Sequence, residues 1–197
     1  MSKQPRYDLP KAAPPPLRLV QLFVNTVDLE HGREWLADPG ALAAWAREQR
    51  LVPAATRFSR KDLGRALELR EALRALLRAN GDLKEEEAAH EILAKAAARA
   101  RLTVVFERGS PPELEPRAGG IDRLCGRLVS VAVGAMLDGS WGRLKACRNC
   151  RWAFFDESKN RSARWCSMQL CGNRLKTRAY RRRKRGARRR VKRSVPG

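Results

Sequence analysis

Four of the five cysteines lie within 25 residues, in the order Cys147-x2-Cys150-x15-Cys166-x4-Cys171. A two-residue gap lets both sulfurs of one turn point at a single ion, which lies about 2.3 Å from each sulfur in zinc sites. The loop between the two pairs is long enough to hold a hairpin that returns the second pair. The spacing therefore predicts a closed tetrahedral metal site in a small module at this end of the chain.

One structural Zn2+ is the metal that this set of ligands favours. Sites of four cysteines also hold iron–sulfur clusters, but the spacing resembles none of the ferredoxin patterns. Two disulfides are the alternative, and they need an oxidising compartment. The N-terminus shows neither a signal peptide nor a run of about 20 apolar residues, so we expect a cytoplasmic protein without a membrane partner.

A site closed by four protein ligands leaves no position for water or substrate. We therefore expect the zinc to fold the module and not to catalyse a reaction. The sequence also shows no glycine loop that would cradle phosphate and no convincing nucleophile with a base. Together these observations predict that the protein is not an enzyme.

The formal net charge of +21 is concentrated in the last part of the chain. Residues 143–197 hold 20 Lys and Arg against two acids, a net of +18, whereas residues 1–142 hold a net of +3. A basic segment releases the counterions condensed on a polyanion, which favours nucleic acid as the partner. We expect DNA, with a nucleoid-associated location. RNA, which arginine-rich segments also bind, and a merely solvated tail are the alternatives.

Helix signals dominate the segment before the cysteines. Residues 1–16 are rich in proline and are expected to be disordered, and a helical domain is predicted over 17–140. Its first helix is expected between Leu17 and Val27, with a strand as the alternative. Caps and apolar spacing predict four further helices. One begins at Asp38-Pro39-Gly40, and the next begins at Ser59 with Asp62 and stops at Asn80-Gly81. The other two run from about Glu85 to Ala100 and over residues 121–138.

A small hairpin interrupts the helices. Leu102–Phe106 is short and β-branched, and Glu113–Pro116 is its expected return strand. Cys125 lies among the aliphatic residues of the last helix and is expected to be plain core. The predicted fold is thus a mainly α N-terminal domain with a small β-hairpin, followed by a C-terminal four-cysteine zinc-finger module.

The finger module is predicted over residues 141–185, as a cysteine knuckle, a short hairpin and a basic helix, with a disordered basic tail over 186–197. Trp152, Phe154 and Phe155 give it a short apolar strand. Ser167 is the expected cap of its helix, with Leu170 facing inward. The candidates for nucleic-acid contact are Arg161, Arg164, Asn173, Arg174, Lys176, Arg178, Arg181, Arg182, Arg183 and Arg185.

Two segments resemble known families. Arg164-Trp-Cys-Ser-Met168, followed by Cys171-Gly-Asn-Arg174, resembles the CGNR zinc-finger family, which is named for that tetrapeptide. The N-terminal part resembles the ABATE domain through Phe23-Val-Asn-Thr26, Trp35-Leu-Ala-Asp-Pro39 and Leu69-Arg-Glu-Ala-Leu73. The resemblance covers most of residues 17–182 and implies a bacterial stress-responsive transcription regulator with a DNA-binding finger.

The chain departs from the family pattern at two places. Its first cysteine pair has a shorter gap than is common in the family, and Leu22 stands where an acid often precedes the Phe-Val-Asn-Thr run. Asn25 and Thr26 are polar within an apolar helix. They either line a small-molecule pocket or satisfy a neighbouring backbone group. A regulator of this kind would use the helical domain to sense an effector or to form a homodimer.

Overall fold

The structure is a computed structural model that describes residues 11–81, 87–173 and Thr177. In these residues the helices are α1 (Arg18–Val24), α2 (Pro39–Glu48), α3 (Arg60–Ala79), α4 (Glu87–Ala100) and α5 (Gly120–Leu137). The strands form antiparallel pairs, and they are β1 (Val27–Asp28) with β2 (Arg33–Glu34), β3 (Leu102–Val105) with β4 (Glu113–Pro116), and β5 (Leu144–Ala146) with β6 (Ala153–Phe155). The predicted fold class is confirmed.

Side-chain caps fix the starts of two helices where the sequence predicts them. Asp38 accepts a hydrogen bond from the backbone N of Ala41 at 2.8 Å, ahead of α2. Ser59 and Asp62 form a reciprocal capping box at the start of α3, with bonds of 3.2 and 2.8 Å to each other's backbone N. Each cap satisfies amide groups that the first helical turn leaves without a partner.

Helix α5 packs against α4 and β4 at a close approach. A Cβ atom on Gly126 would lie 2.4 Å from the Cβ of Ala100, so only glycine fits at this crossing. Cys125, one residue before it, is buried, and this burial raises the pKa of its thiol to about 12. The prediction that Cys125 belongs to the core is confirmed, and its thiol stays protonated at neutral pH.

One hydrophobic core runs from the helices into the finger module. Phe23, Leu73 and Leu128 share it with Leu144 and Ala153 of the β5–β6 hairpin. Because side chains alternate across a strand, Phe154 points to the other face of β6. There it packs with Trp152 and the four clustered cysteines, and the partly buried Trp35 and Trp165 cover this second cluster. The hairpin therefore separates the helical core from the metal site and contacts both.

Two segments differ from the expectations. Residues 11–16, which were expected to be disordered, pack on the fold. Ala13 is buried and its backbone N donates to Gln21 Oε1 at 2.7 Å, and Lys11 O accepts from Phe155 N at 2.9 Å. Residues 1–10 lie outside the described residues, as do 82–86 at the expected start of α4. Val27, expected in the first helix, lies in β1 because α1 ends at Val24. Within the described ranges, no helix has the length and apolar character to cross a bilayer.

Candidate metal centre and nucleic-acid interface

The sulfurs of Cys147, Cys150, Cys166 and Cys171 all lie within 4.8 Å of one another, and the four side chains are buried. The sulfurs of Cys150, Cys166 and Cys171 are 3.5 Å apart in each pairing. This is far longer than the roughly 2.05 Å of a disulfide. Zinc bonds of about 2.3 Å in a tetrahedron place sulfurs roughly 3.8 Å apart. The cluster therefore fits one structural Zn2+.

A tight turn between β5 and β6 positions the first cysteine pair. The N of Cys147 donates to Trp152 O at 2.9 Å, and the N of Arg151 donates to Cys147 O at 2.9 Å. Arg151 closes the turn in the left-handed region, with φ of +60°. The finger contains the predicted short hairpin, but its strands flank the first cysteine pair, because β6 pairs with β5, which lies before Cys147.

A short π-helical turn, Met168–Gly172, positions the second pair. The hydroxyl of Ser167 accepts from Leu170 N at 3.3 Å, which confirms the predicted cap. A Cβ on Gly172 would lie 2.7 Å from Met168 Sδ and 3.3 Å from Trp165, so this glycine makes room for those two side chains. Leu170 is 36% exposed, contrary to the inward orientation predicted for it. The prediction assumed α-helical spacing, which a π turn does not follow.

The clustered thiols act on one another's protonation. Hydrogen bonds with Cys150 and Cys166 lower the pKa of Cys147, and the bond with Cys147 raises the pKa of Cys150 to about 12. Four thiolates therefore cannot form together unless a cation compensates their charge, which a bound Zn2+ does. Asn149 donates to the sulfur of Cys171 at 3.6 Å, a contact that the cysteine spacing alone gave no reason to expect.

Asp156 organises the loop between β6 and Cys166. Its carboxylate accepts from Lys145 Nζ at 2.9 Å, Ser158 N at 3.0 Å and Ala163 N at 2.9 Å. Lys145 and Asp156 are both buried, as a charged pair inside the finger. Burial alone would raise the pKa of Asp156, but the hydrogen bonds from Ser158 and Lys145 outweigh it and lower the pKa to about 2. The ionised carboxylate is thus part of the folded finger.

Acid should weaken the finger through Asp156. Because the folded-state pKa is depressed from 3.8 to about 2, the stabilisation is complete above about pH 4 and is lost as the pH falls through 2. We expect the difference in unfolding free energy between wild type and Asp156→Asn to shrink by about 2 kcal/mol over this range. Urea unfolding at each pH measures it, and zinc content is followed at each pH, because acid that releases the metal would unfold the finger in both proteins and remove the difference. Glu157→Gln, at the exposed neighbour, is the control and should give no such change.

Side chains at the end of α1, Gln21 and the cap residue Asn25, bind the backbone of β6. Asn25 accepts from Ala153 N at 2.7 Å and donates to Ala153 O at 2.9 Å, and Gln21 donates to the same oxygen at 3.1 Å. Thr26 donates to Phe23 O at 2.7 Å and accepts from Arg70 at 3.2 Å. Asn25 and Thr26 are buried with their polar groups bonded to the protein. These bonds match the alternative in which both residues satisfy neighbouring groups of the protein.

Helix α3 holds the finger at two further points. Arg74 donates to Val24 O at 2.6 Å and to Arg151 O in the cysteine turn at 2.9 Å. Asn80, just after the helix, donates to Trp141 O and Leu144 O, both at 2.9 Å. The sequence did not identify any of these contacts, because nothing local to Arg74 or Asn80 indicates a partner 50 or more residues away.

The structure describes three of the residues predicted to contact nucleic acid. Arg161, Arg164 and Asn173 are exposed on the finger, and Asn173 directly follows the π-helical turn. The other predicted contact residues lie outside the described residues, as do the predicted basic helix and tail. These contact residues are Arg174, Lys176, Arg178, Arg181, Arg182, Arg183 and Arg185.

Comparison with family models gives two matches. The model described as "CGNR zinc finger" matches residues 143–184. The ABATE model, described as "Putative stress-induced transcription regulator", matches residues 17–138, which is more than half of the chain. No curated protein matches the chain. The two matches occur in the N- to C-terminal order of the segments identified from the motifs.

Proposed function

Because the chain belongs to the ABATE family and carries a CGNR zinc finger, we propose that it is a transcription regulator that binds DNA through the finger and the basic segment after it. The observation that carries the proposal is the net charge of +18 over residues 143–197, joined to a closed metal site. A metal enclosed by four buried cysteines supports a folding role and not catalysis. We propose on the same ground that the protein is not an enzyme.

In this proposal, each part of the finger has its own role. Cys147, Cys150, Cys166 and Cys171 hold the zinc, which cross-links the cysteine turn to the π-helical turn. Lys and Arg side chains contact phosphates and supply most of the affinity. Any reading of base edges falls to side chains at and after the turn, such as Asn173, Arg174 and Arg178. The helical domain senses a signal or forms a dimer.

Binding of the zinc-loaded full chain to a mixed-sequence DNA duplex tests the proposal. We expect the affinity to fall steeply with salt, by a factor of about a thousand or more between roughly 50 and 200 mM if six or more phosphates are contacted. Fluorescence anisotropy of a labelled duplex measures this. Weak dependence on salt would contradict the electrostatic basis, and preference for structured RNA over the duplex at matched salt would favour the RNA alternative. Selection from a random duplex pool then separates sequence reading from phosphate contact alone.

A further inference from the structure

Residues 157–162 form an exposed loop between β6 and the second cysteine pair. Its backbone is held by the half-buried Arg143 and the buried Lys145. Arg143 donates to Asp156 O at 3.0 Å and to Ser158 O at 3.2 Å, and Lys145 donates to Arg161 O. Within the loop, Arg161 N donates to Ser158 O and Ser162 N donates to Ser158 Oγ, both at 3.2 Å. The loop is therefore fixed before any partner binds.

The cations of this region fall into two groups. Arg143 and Lys145 are turned inward and satisfy carbonyl groups, whereas Lys159 and Arg161 are on the exposed loop. Within the described part of the chain, neither Lys159 nor Arg161 forms a side-chain ion pair. Glu157 is the acid of the loop, and it is also exposed. The loop thus presents two available cations on a rigid support.

Arg161 also has a backbone conformation that disfavours arginine. Its φ of +48° lies in the left-handed region, which glycine and asparagine adopt more readily. Strain of this kind persists where the surrounding structure imposes it and often marks a functional position. An arginine at this position keeps a guanidinium on the exposed loop, where no described residue forms an ion pair with it.

We infer that loop 157–162 is a preformed contact for the phosphate backbone of duplex DNA, with Lys159 and Arg161 as the contacting side chains. This inference rests on the proposed function and adds a contact that is separate from the basic segment after Cys171. Phosphate contacts position a module on the duplex, and a rigid loop loses little conformational entropy when it makes them. The Asp156–Lys145 pair holds the loop in this arrangement through Ser158 N, Ala163 N and Arg161 O.

The double variant Lys159→Gln/Arg161→Asn in the zinc-loaded full chain tests the inference on a mixed-sequence duplex. Two lost phosphate contacts should reduce the slope of log affinity against log salt by about 2, so that the affinity lost between roughly 50 and 200 mM salt is about tenfold smaller. The zinc content should not change, and the unfolding midpoint should stay equal or rise, because asparagine accepts the left-handed backbone. The conservative variant Lys159→Arg should keep the wild-type slope.

Arg50→Asn/Lys95→Gln is the matched control on the helical domain. It removes the same charge, and Arg50 is also exposed and left-handed, with φ of +56°. The control should bind as wild type does. If the wild type binds with a steep salt slope and the loop variant keeps that slope, the loop assignment is overturned and the proposed function stands. A loop variant that loses zinc or stability overturns the assignment too, because the side chains then serve the fold. A wild type that does not bind the duplex overturns both proposals.

Discussion

Replacing Cys166 by serine is expected to remove the zinc and to unfold the C-terminal side of the finger. The sulfur of Cys166 lies 3.5 Å from those of Cys150 and Cys171, and the residue is buried, so the substitution leaves three thiolates and a poor fourth ligand. Binding of a structural zinc contributes to folding directly, by about 10 kcal/mol or more in small zinc-finger peptides. Metal content by elemental analysis should fall from one equivalent towards zero.

The shared core determines how far this unfolding spreads. Leu144 and Ala153 belong to the helical core, whereas Trp152 and Phe154 pack on the cysteines. We expect the segment from Cys147 to Asn173 to lose protection from hydrogen exchange while α3 and α5 keep theirs. The free energy of unfolding should nevertheless fall for the whole chain, because the β5–β6 hairpin covers part of the core.

Cys125→Ser is the matched control for this experiment. It makes the same substitution at a buried cysteine, but within α5 and outside the metal cluster. It should cost some core stability, since a hydroxyl replaces a thiol in an apolar setting, and should keep one equivalent of zinc. A Cys166→Ser protein that also kept one equivalent would exclude Cys166 as a required ligand.

The features that the sequence predicted are those that local chemistry determines. Helix starts at Asp38 and Ser59 depend on a side chain that reaches a backbone amide three residues away, so a short window contains all the information. The metal cluster was predictable for a related reason, because two close cysteine pairs in a short segment are typical of a structural zinc site. The buried position of Cys125 was predictable from its aliphatic neighbours in the sequence.

The features that the sequence did not predict depend on distant partners. Asn25 and Ala153 are 128 residues apart, and nothing near Asn25 indicates that a strand of the finger needs its amide. Residues 11–16 have the composition of a disordered segment, but Gln21 and Phe155 supply bonds that composition does not reveal. Strand β5 is three residues long, too short for a pattern of alternation to indicate a strand, and its pairing with β6 was missed.

The contact between α1 and the finger gives the last prediction, which concerns how the two family segments are coupled. Asn25→Ala removes both bonds to Ala153 and leaves a buried N–H and a buried C=O without that partner. The C=O keeps its bond from Gln21, so the N–H is the group left unsatisfied, and we expect the free energy of unfolding to fall by about 1–3 kcal/mol in urea titrations. Asn160→Ala, in the exposed loop, should change it by less than about 0.5 kcal/mol.

The Asn25 variant also tests whether the helical domain supports the metal site. Ala153 lies between the helical core and Phe154, which packs on the cysteines, so a displaced β6 should loosen the cysteine turn. We expect Asn25→Ala to lose zinc to a chelator at lower chelator concentration than wild type or Asn160→Ala. Unchanged zinc retention together with reduced stability would mean that the finger holds its metal independently of α1. Weaker retention would give a signal received by the helical domain a physical route to the finger, through the two hydrogen bonds of Asn25.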